Sequence, residues 1–348
     1  MLTETKLHQI LARLPHLTIA VVGDFFLDKY LDLDSRLTEK SVETGLGAYQ
    51  VTGVRTSPGA GGTVTNNLAS LGVGRIWALT LIGVDGEGFE LKRELAGRGV
   101  DLAHVIETPD RQTPTYTKPM LSDGSAPARE LNRLDIKNRT PIPAMLVREL
   151  ARRLDQVVAQ ADAVIVSDQV SEPECGVMTL AMRERLAELG QRFPSKIIVA
   201  DSRQRIGLFR NVITKPNRTE CLGAVGAAEI EARSSDETSV AFGARQLAAR
   251  TGRPVYCTLG EVGMLYADAS RTVDVPAYPV RGPIDMVGAG DSATAGIVCA
   301  LCCGVDPIEA AAMGSLVASI TIQQLGKTGT ATPEQVIARW RELQATAG

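Results

Sequence analysis

Residues 284–292 read I-D-M-V-G-A-G-D-S, and the stretch 293–303 that follows is nearly free of polar side chains. A turn of small residues thus feeds a buried helix that carries an aspartate on its first turn. Glycines at 288 and 290 allow positive φ and close approach of a ligand to the backbone, and the first amides of a helix have no internal partners. Such an end favours anions. An aspartate beside an anion site has an obvious task, which is to take a proton from a hydroxyl that attacks a bound phosphate. On spacing alone, a Gly-rich loop merely capped by an aspartate fits as well.

Four further segments supply what a phosphoryl-transfer site would need. In A-V-V-G-D-F-F-L-D-K-Y (20–30) a strand ends at Gly23 and Asp24, with Asp28 four residues on. Carboxylates at a strand's carboxyl end can accept paired hydrogen bonds from vicinal hydroxyls, or simply cap a turn. In S-P-G-A-G-G-T-V-T-N-N-L-A-S-L-G (57–72) a glycine-rich turn leads into a helix. In I-T-K-P-N-R-T-E (213–220) Asn217 and Glu220 stand three apart. That spacing suits one magnesium hydration shell or a phosphate, and equally a helix capping box. In C-T-L-G-E-V-G-M (257–264) a strand runs into a Gly-x-x-Gly turn that could line a nucleotide or be a plain hairpin.

The elements that must position these residues form a repeating pattern. Short apolar runs at 18–22, 76–82, 163–166, 196–200, 212–213 and 255–259 read as strands covered on both faces. Amphipathic helices are expected between them at 66–71, 89–97, 143–160, 174–189 and 238–249. Strand, helix, strand order implies a doubly wound, mostly parallel α/β sheet with ligands at the carboxyl ends of its strands. Two stretches, 29–57 and 111–135, break the pattern and suit short antiparallel strands. They are expected to be insertions forming a small β lid on a single domain spanning 1–348.

Composition narrows the partners. The chain has 348 residues, 44% hydrophobic and 22% charged, with a formal net charge of -3. No basic block is available to neutralise a nucleic-acid backbone, so nucleic acid is not an expected partner. No apolar run is long enough to span a bilayer and no signal peptide is evident, so a cytoplasmic protein with no membrane partner is expected. The six cysteines, three of them in C-A-L-C-C (299–303), read as buried small hydrophobes and not as a metal site.

In this order the segments resemble the ribokinase (PfkB) family of carbohydrate kinases, from Val21 to about Pro333. D-M-V-G-A-G-D is close to the family's D-T-x-G-A-G-D. Within the family the bacterial heptose-phosphate kinases are most similar, through V-V-G-D-F-F-L-D-K-Y, A-S-L-G, N-R-L-D (132–135), V-S-D (166–168) and K-P-N-R-T-E. Those relatives are often fused to a nucleotidyltransferase, which a chain ending at Gly348 is not expected to hold. The resemblance implies a ribokinase-like fold and an ATP-dependent kinase with Mg2+. It makes Asp291 the general base, and the amides of Gly288, Ala289 and Gly290 the anion hole. Asn217, Arg218, Thr219 and Glu220 would contact ATP and its magnesium, with Thr258, Gly260 and Gly263 beside the nucleotide. Asp24, Asp28 and the turn containing Gly59, Thr63 and Asn67 would hold the sugar. Asp285, with loop carbonyls near Gly326, would build a K+ or Na+ site.

The departures bear on specificity. Ala60 stands where the family has a second glycine, Thr63 where it usually has asparagine, and Val287 where threonine or serine is common. A heptose-7-phosphate-like acceptor would need nearby cations, for which Arg55, Lys118, Arg129 and Arg133 are candidates. The alternatives are a kinase of an unphosphorylated sugar or nucleoside, and a non-catalytic sugar-sensing protein of the same fold. Exposed lid strands also make a homodimer an expectation.

Overall fold

The computed structural model describes residues 2–125, 127–231 and 238–347. Residue 126, within the second insertion, the termini and 232–237 lie outside the described residues. A nine-stranded sheet forms the centre. Its spatial order is Thr272–Pro276, Gly263–Ala267, Val255–Thr258, Ile213–Thr214, Ile197–Ser202, Ala163–Asp168, Thr18–Gly23, Arg75–Leu79 and Val100–Asp101. All pairings are parallel except the two made by Gly263–Ala267, which are antiparallel.

The near-continuous apolar runs have a direct explanation in burial. Side chains alternate across a strand, so consecutive residues enter opposite cores. Ile19, Val21, Ile165 and Val199 join one hydrophobic cluster, while Ala20, Val22, Val164, Val166, Ile198 and Ala200 join the other. Helices cover both faces. The helix Ala144–Gln160 buries Leu150, Leu154, Val157 and Val158 at i, i+4, i+7 and i+8, the spacing of one helical face. The ribokinase-like, doubly wound α/β architecture expected from the sequence is therefore the one observed.

Several local expectations need correction. The run 76–82 is two strands, because its second part, Leu81–Gly83, leaves the large sheet and pairs with Ile106–Thr108. The helix expected at 174–189 starts only at Leu180, after Thr179 caps it by accepting from the Met182 amide. The edge hairpin formed by Gly263–Ala267 and Thr272–Pro276 was not legible as strands.

The two insertions meet in a second, five-stranded sheet. Phe25–Asp34 and Val51–Ala60 are each ten residues long and pair antiparallel. Thr115–Ser122 joins Phe25–Asp34 in parallel, where antiparallel pairing was expected. The reason is that Thr115–Ser122 and Phe25–Asp34 leave the body of the molecule side by side, with the Leu27 amide donating to the Pro114 carbonyl.

Gly23 marks the point where the central strand turns into this second sheet. Its φ is +135°, and a Cβ there would lie 2.1 Å from the Ser167 carbonyl oxygen. Gly23→Ala is therefore expected to destabilise the fold by about 3 kcal/mol or more. Denaturant unfolding checks this, and a midpoint equal to that of the parent protein would contradict it.

Candidate active site

The helix Ala289–Cys302 begins on Gly288, which has φ 80° and no side-chain cap. Beta-carbon space at Gly288 is closed by Thr328 Cγ2 at 2.6 Å. Asp285 shapes the turn: its Oδ1 accepts from the Val287 amide at 3.0 Å and its Oδ2 from the Gly326 amide at 3.2 Å. The sequence placed Asp285 near Gly326, and so does the fold, but it is the Gly326 amide and not a carbonyl that meets the carboxylate. The Ala289 amide donates to the Met286 carbonyl at 3.2 Å, which removes it from the expected anion hole. The amides of Gly290 and Asp291, at the second and third helical positions, are the ones a helix start leaves open.

Asp291 is half-buried on this first turn. Desolvation, followed by the charge of Asp201, pushes its carboxyl up to about 7, against the opposing pull of Lys215 and Arg203. A carboxyl poised there can accept a proton near neutrality. Lys215 is buried, and its ammonium pairs with Asp201 Oδ2 at 2.9 Å. Burial lowers its affinity for the proton, but the charge and hydrogen bond of Asp201 outweigh this and keep it a cation. Sequence reasoning quoted Lys215 within K-P-N-R-T-E and gave it no role, and Asp201 and Arg203 were not singled out. The one available signal was that all three lie at or just beyond strand ends on the sheet's carboxyl edge.

Asn217 and Glu220 form a complete capping box on the helix Arg218–Val225. Asn217 Oδ1 accepts from the Glu220 amide at 2.9 Å, and Glu220 Oε2 accepts from the Asn217 amide at 2.7 Å. The structural alternative is thus real, but it uses only one oxygen of Glu220. Burial and the neighbouring Asp201 raise the Glu220 carboxyl above its ordinary value, a repulsion that a cation would relieve. Among the described residues no group of three His, Cys, Asp or Glu could hold a metal. The second oxygen of Glu220, outside the capping box, is the group here that could meet a hydrated divalent cation.

Asn217 also bridges Thr258, whose amide donates to the Pro216 carbonyl at 2.9 Å. The fold thus joins two of the expected nucleotide segments. Gly260 has open space at its β-carbon position, whereas a Cβ on Gly263 would lie 2.2 Å from the Val275 carbonyl. Gly263 is accordingly required by the edge hairpin, which accounts for it without a nucleotide. Arg218 and Thr219 are exposed, and Arg218 lines an open groove with Leu222, Leu259 and Val262.

At the expected sugar end the outcome is mixed. Asp24 is 3% exposed. Its Oδ2 accepts from the amides of Gln169 and Val170 at 2.8 and 2.9 Å, and its Oδ1 from Val177 at 2.8 Å. That carboxylate braces the loop after the strand Ala163–Asp168, with both of its oxygens engaged by backbone amides. Asn67 is completely buried, with its amide group donating to the Thr63 carbonyl at 2.9 Å and its Oδ1 left without a partner among the described residues. Asp28 does sit on the second sheet, paired with Lys118 at 3.0 Å. Gly59 makes room for it, since a Cβ there would meet Asp28 Oδ2 at 2.6 Å. Thr63 lies against the turn at 285–291, its Cγ2 standing 3.4 Å from where a Cβ on Gly288 would be.

Of the candidate cations, Arg55 is held by Asp32 and Arg133 by Asp135, with Arg133 also stacked 4.2 Å over the Tyr116 ring; Arg129 lies exposed on the second sheet. A 130 Å³ cavity between the two sheets offers others. It is lined by Phe26 and Tyr116 from the second sheet, and by Lys137, Asn138, Gln169 and Arg203. Arg203 donates to Gln169 Oε1 at 2.7 Å and acts on the carboxyl of Asp291 as well as on Tyr116. Its charge links cavity and catalytic turn.

Over residues 18–335 the chain matches the family described as pfkB family carbohydrate kinase. It is 29% identical over 320 residues to the bifunctional protein HldE of Geobacter metallireducens, covering 91% of this chain and 61% of that protein. For the bifunctional protein HldE of Geotalea uraniireducens the values are 28% over 335 residues, 96% and 65%. The chain thus spans less than two thirds of the length of these relatives. Among solved structures it superposes on Escherichia coli phosphofructokinase-2 in complex with potassium with a TM-score of 0.70 at 18% identity, covering 94% of this chain and 99% of that one. Ribokinase from Thermotoga maritima gives 0.65 at 20%, covering 93% and 99%.

Two predictions follow from this geometry. The acid limb of the kcat/KM profile should have its midpoint near about 7, with activity rising as Asp291 loses its proton. Because folding raises this carboxyl, its contribution favours the folded state at low pH and is lost as pH climbs through about 7. Asp291→Asn is therefore expected to abolish turnover while melting no lower than the parent at pH 8, and a lowered Tm at that pH would contradict the assignment. Ala60 is held at φ 54° and ψ -121° where the second sheet meets the helix Gly61–Ser70. Ala60→Gly should relieve this strain and stabilise the protein by about 1 kcal/mol in chemical denaturation.

Proposed function

The chain belongs to the pfkB family of carbohydrate kinases, and we propose that it transfers the γ-phosphate of ATP to a hydroxyl of a phosphorylated sugar, a heptose-7-phosphate-like acceptor. The observation that carries this reading is the pairing of Asp291, poised near neutrality on an open helix start, with a nearby cavity lined by Lys137 and Arg203. Asp291 takes the proton of the attacking hydroxyl. The open amides of Gly290 and Asp291 bind oxygens of the phosphoryl group as its charge spreads. Glu220 and Asn217 would hold a magnesium ion through its waters, and such an ion would supply positive charge to offset that of the phosphates. Thr258 and Gly260 lie beside the phosphates. Asp28 accepts hydrogen bonds from sugar hydroxyls, Thr63 stands between sugar and turn, and the aromatic walls Phe26 and Tyr116 exclude water from the acceptor.

The cavity supports a phosphorylated acceptor over a bare sugar. Among the described residues Lys137 is paired loosely with Glu172 at 3.7 Å, a carboxylate that also lines the cavity, and Arg203 is bonded to the neutral amide of Gln169. Both cations are thus available to an anionic substituent. The lid is proposed to be the two insertions folded as one sheet over a single domain. Its exposed apolar residues Val51, Val54 and Leu134 favour a homodimer formed through that sheet.

Transfer from ATP measured across phosphorylated heptoses, hexoses and pentoses, together with their unphosphorylated counterparts and nucleosides, tests the reading. Turnover is expected with a sugar phosphate. Lys137→Ala should raise KM for it by roughly tenfold or more while leaving KM for ATP nearly unchanged, as expected for losing a charge-assisted hydrogen bond. Turnover of unphosphorylated sugars or nucleosides alone would sink the acceptor assignment. A complete lack of transfer would favour the sugar-sensing alternative.

A further inference from the structure

Lys215 is a buried cation that the proposed mechanism leaves without a task. It follows directly on the strand Ile213–Thr214 and is 3% exposed. The neighbouring strand Ile197–Ser202 pairs Ala200 with Thr214, so Asp201 and Lys215 are the next residues in register. Their ion pair at 2.9 Å fixes the ammonium in place. Its position is specific: Nζ lies 3.5 Å from where a Cβ on Gly290 would stand, against the residue whose amide opens the helix start. Among the described residues Asp201 is its one hydrogen-bonding acceptor. An ammonium carries three donors, and two remain for a ligand or water. Such a group, nearly fully buried and left with donors unsatisfied beside an anion-binding helix end, matches an anion that arrives with the substrate.

We propose that Lys215 is a catalytic residue that donates hydrogen bonds to an oxygen of the phosphoryl group in transit, with Asp201 as the residue that positions it. The proposal rests on the reading that phosphoryl transfer takes place at this turn. In that step the acceptor oxygen forms a bond to the γ-phosphorus as the bond from phosphorus to the β,γ-bridging oxygen breaks. The electron pair of the broken bond stays on ADP, and the hydroxyl proton goes to Asp291. Lys215 keeps its proton throughout and acts as a fixed positive charge opposite the amides of Gly290 and Asp291. Gly290 leaves the approach to the ammonium clear, since a Cβ there would stand 3.5 Å from Lys215 Nζ.

The test compares the parent enzyme with Lys215→Met, Lys215→Arg and the double variant Lys215→Met with Asp201→Asn, which removes both buried charges and so leaves neither unpaired. For each, kcat and KM are measured with the accepted sugar phosphate, and calorimetry gives the affinities for ADP with and without aluminium fluoride and the acceptor. The expected result is a kcat lower by roughly a hundredfold or more in Lys215→Met and in the double variant. ADP affinity should stay near that of the parent, and the tightening caused by aluminium fluoride should be lost. Lys215→Arg should recover part of kcat. Turnover within threefold of the parent in the folded double variant, or retained tightening by aluminium fluoride, would overturn the role of Lys215. Asp291→Asn run alongside keeps the two ideas separate, since full activity in that variant would overturn the reading of the turn itself.

Discussion

Opposite charges at the ends of two neighbouring strands organise this molecule's carboxyl edge. Parallel pairing in register sets Asp201 beside Lys215, and the helix Ala289–Cys302 begins directly over them. A buried ion pair is weak evidence for stability, because desolvation offsets much of the attraction. Its consequence here is electrostatic. Burial raises the carboxyls of Asp291 and Glu220, the Asp201 carboxylate adds to this, and Lys215 draws both down, so acids that would be uninformative in water acquire distinct properties. The parallel sheet is what makes this possible, since it sends the ends of adjacent strands to the same edge.

A second constraint is close backbone approach. Gly23 lets the central strand turn into the second sheet against Ser167, and Asp24 then gathers three amides of the loop that follows the adjacent strand. Gly59 opens space for Asp28, and strained Ala60 starts the helix that leans on the catalytic turn. These residues follow one another in the chain or across one ladder, so a single crossing of strands holds them together. Strain at Ala60 fits a position whose geometry is imposed by both the sheet and the helix.

The fold itself leaves the acceptor open. Phosphofructokinase-2 and ribokinase superpose on this chain at similar TM-scores and under 25% identity, so architecture alone cannot separate a sugar phosphate from a bare sugar. What distinguishes this chain is local. Cations read from the sequence as candidates in the lid are mostly neutralised by neighbouring carboxylates: Arg55 by Asp32, Lys118 by Asp28 and Arg133 by Asp135. Lys137 and Arg203 line the cavity under weaker restraint, one from the end of the lid and one from beyond a central strand.

The sequence by itself determined the layered α/β architecture, the kinase family and the aspartate on an open helix start, because each is written in short-range patterns. Apolar runs report burial on both faces, and a glycine-rich turn before an apolar helix reports an exposed helix end wherever the chain goes. Asn217 and Glu220 were legible for the same reason, although the capping box they form could not be told from a metal shell until the amides were placed. The fold alone gave Asp24 its three amide partners, since these lie about 145 to 153 positions further along the chain. It also assembled Asp201, Lys215, Arg203 and Asp291, residues separated by up to ninety positions in the chain. Burial and charge both act through space, so the carboxyl of Asp291 takes its character first from desolvation and then from neighbours that no linear spacing reveals.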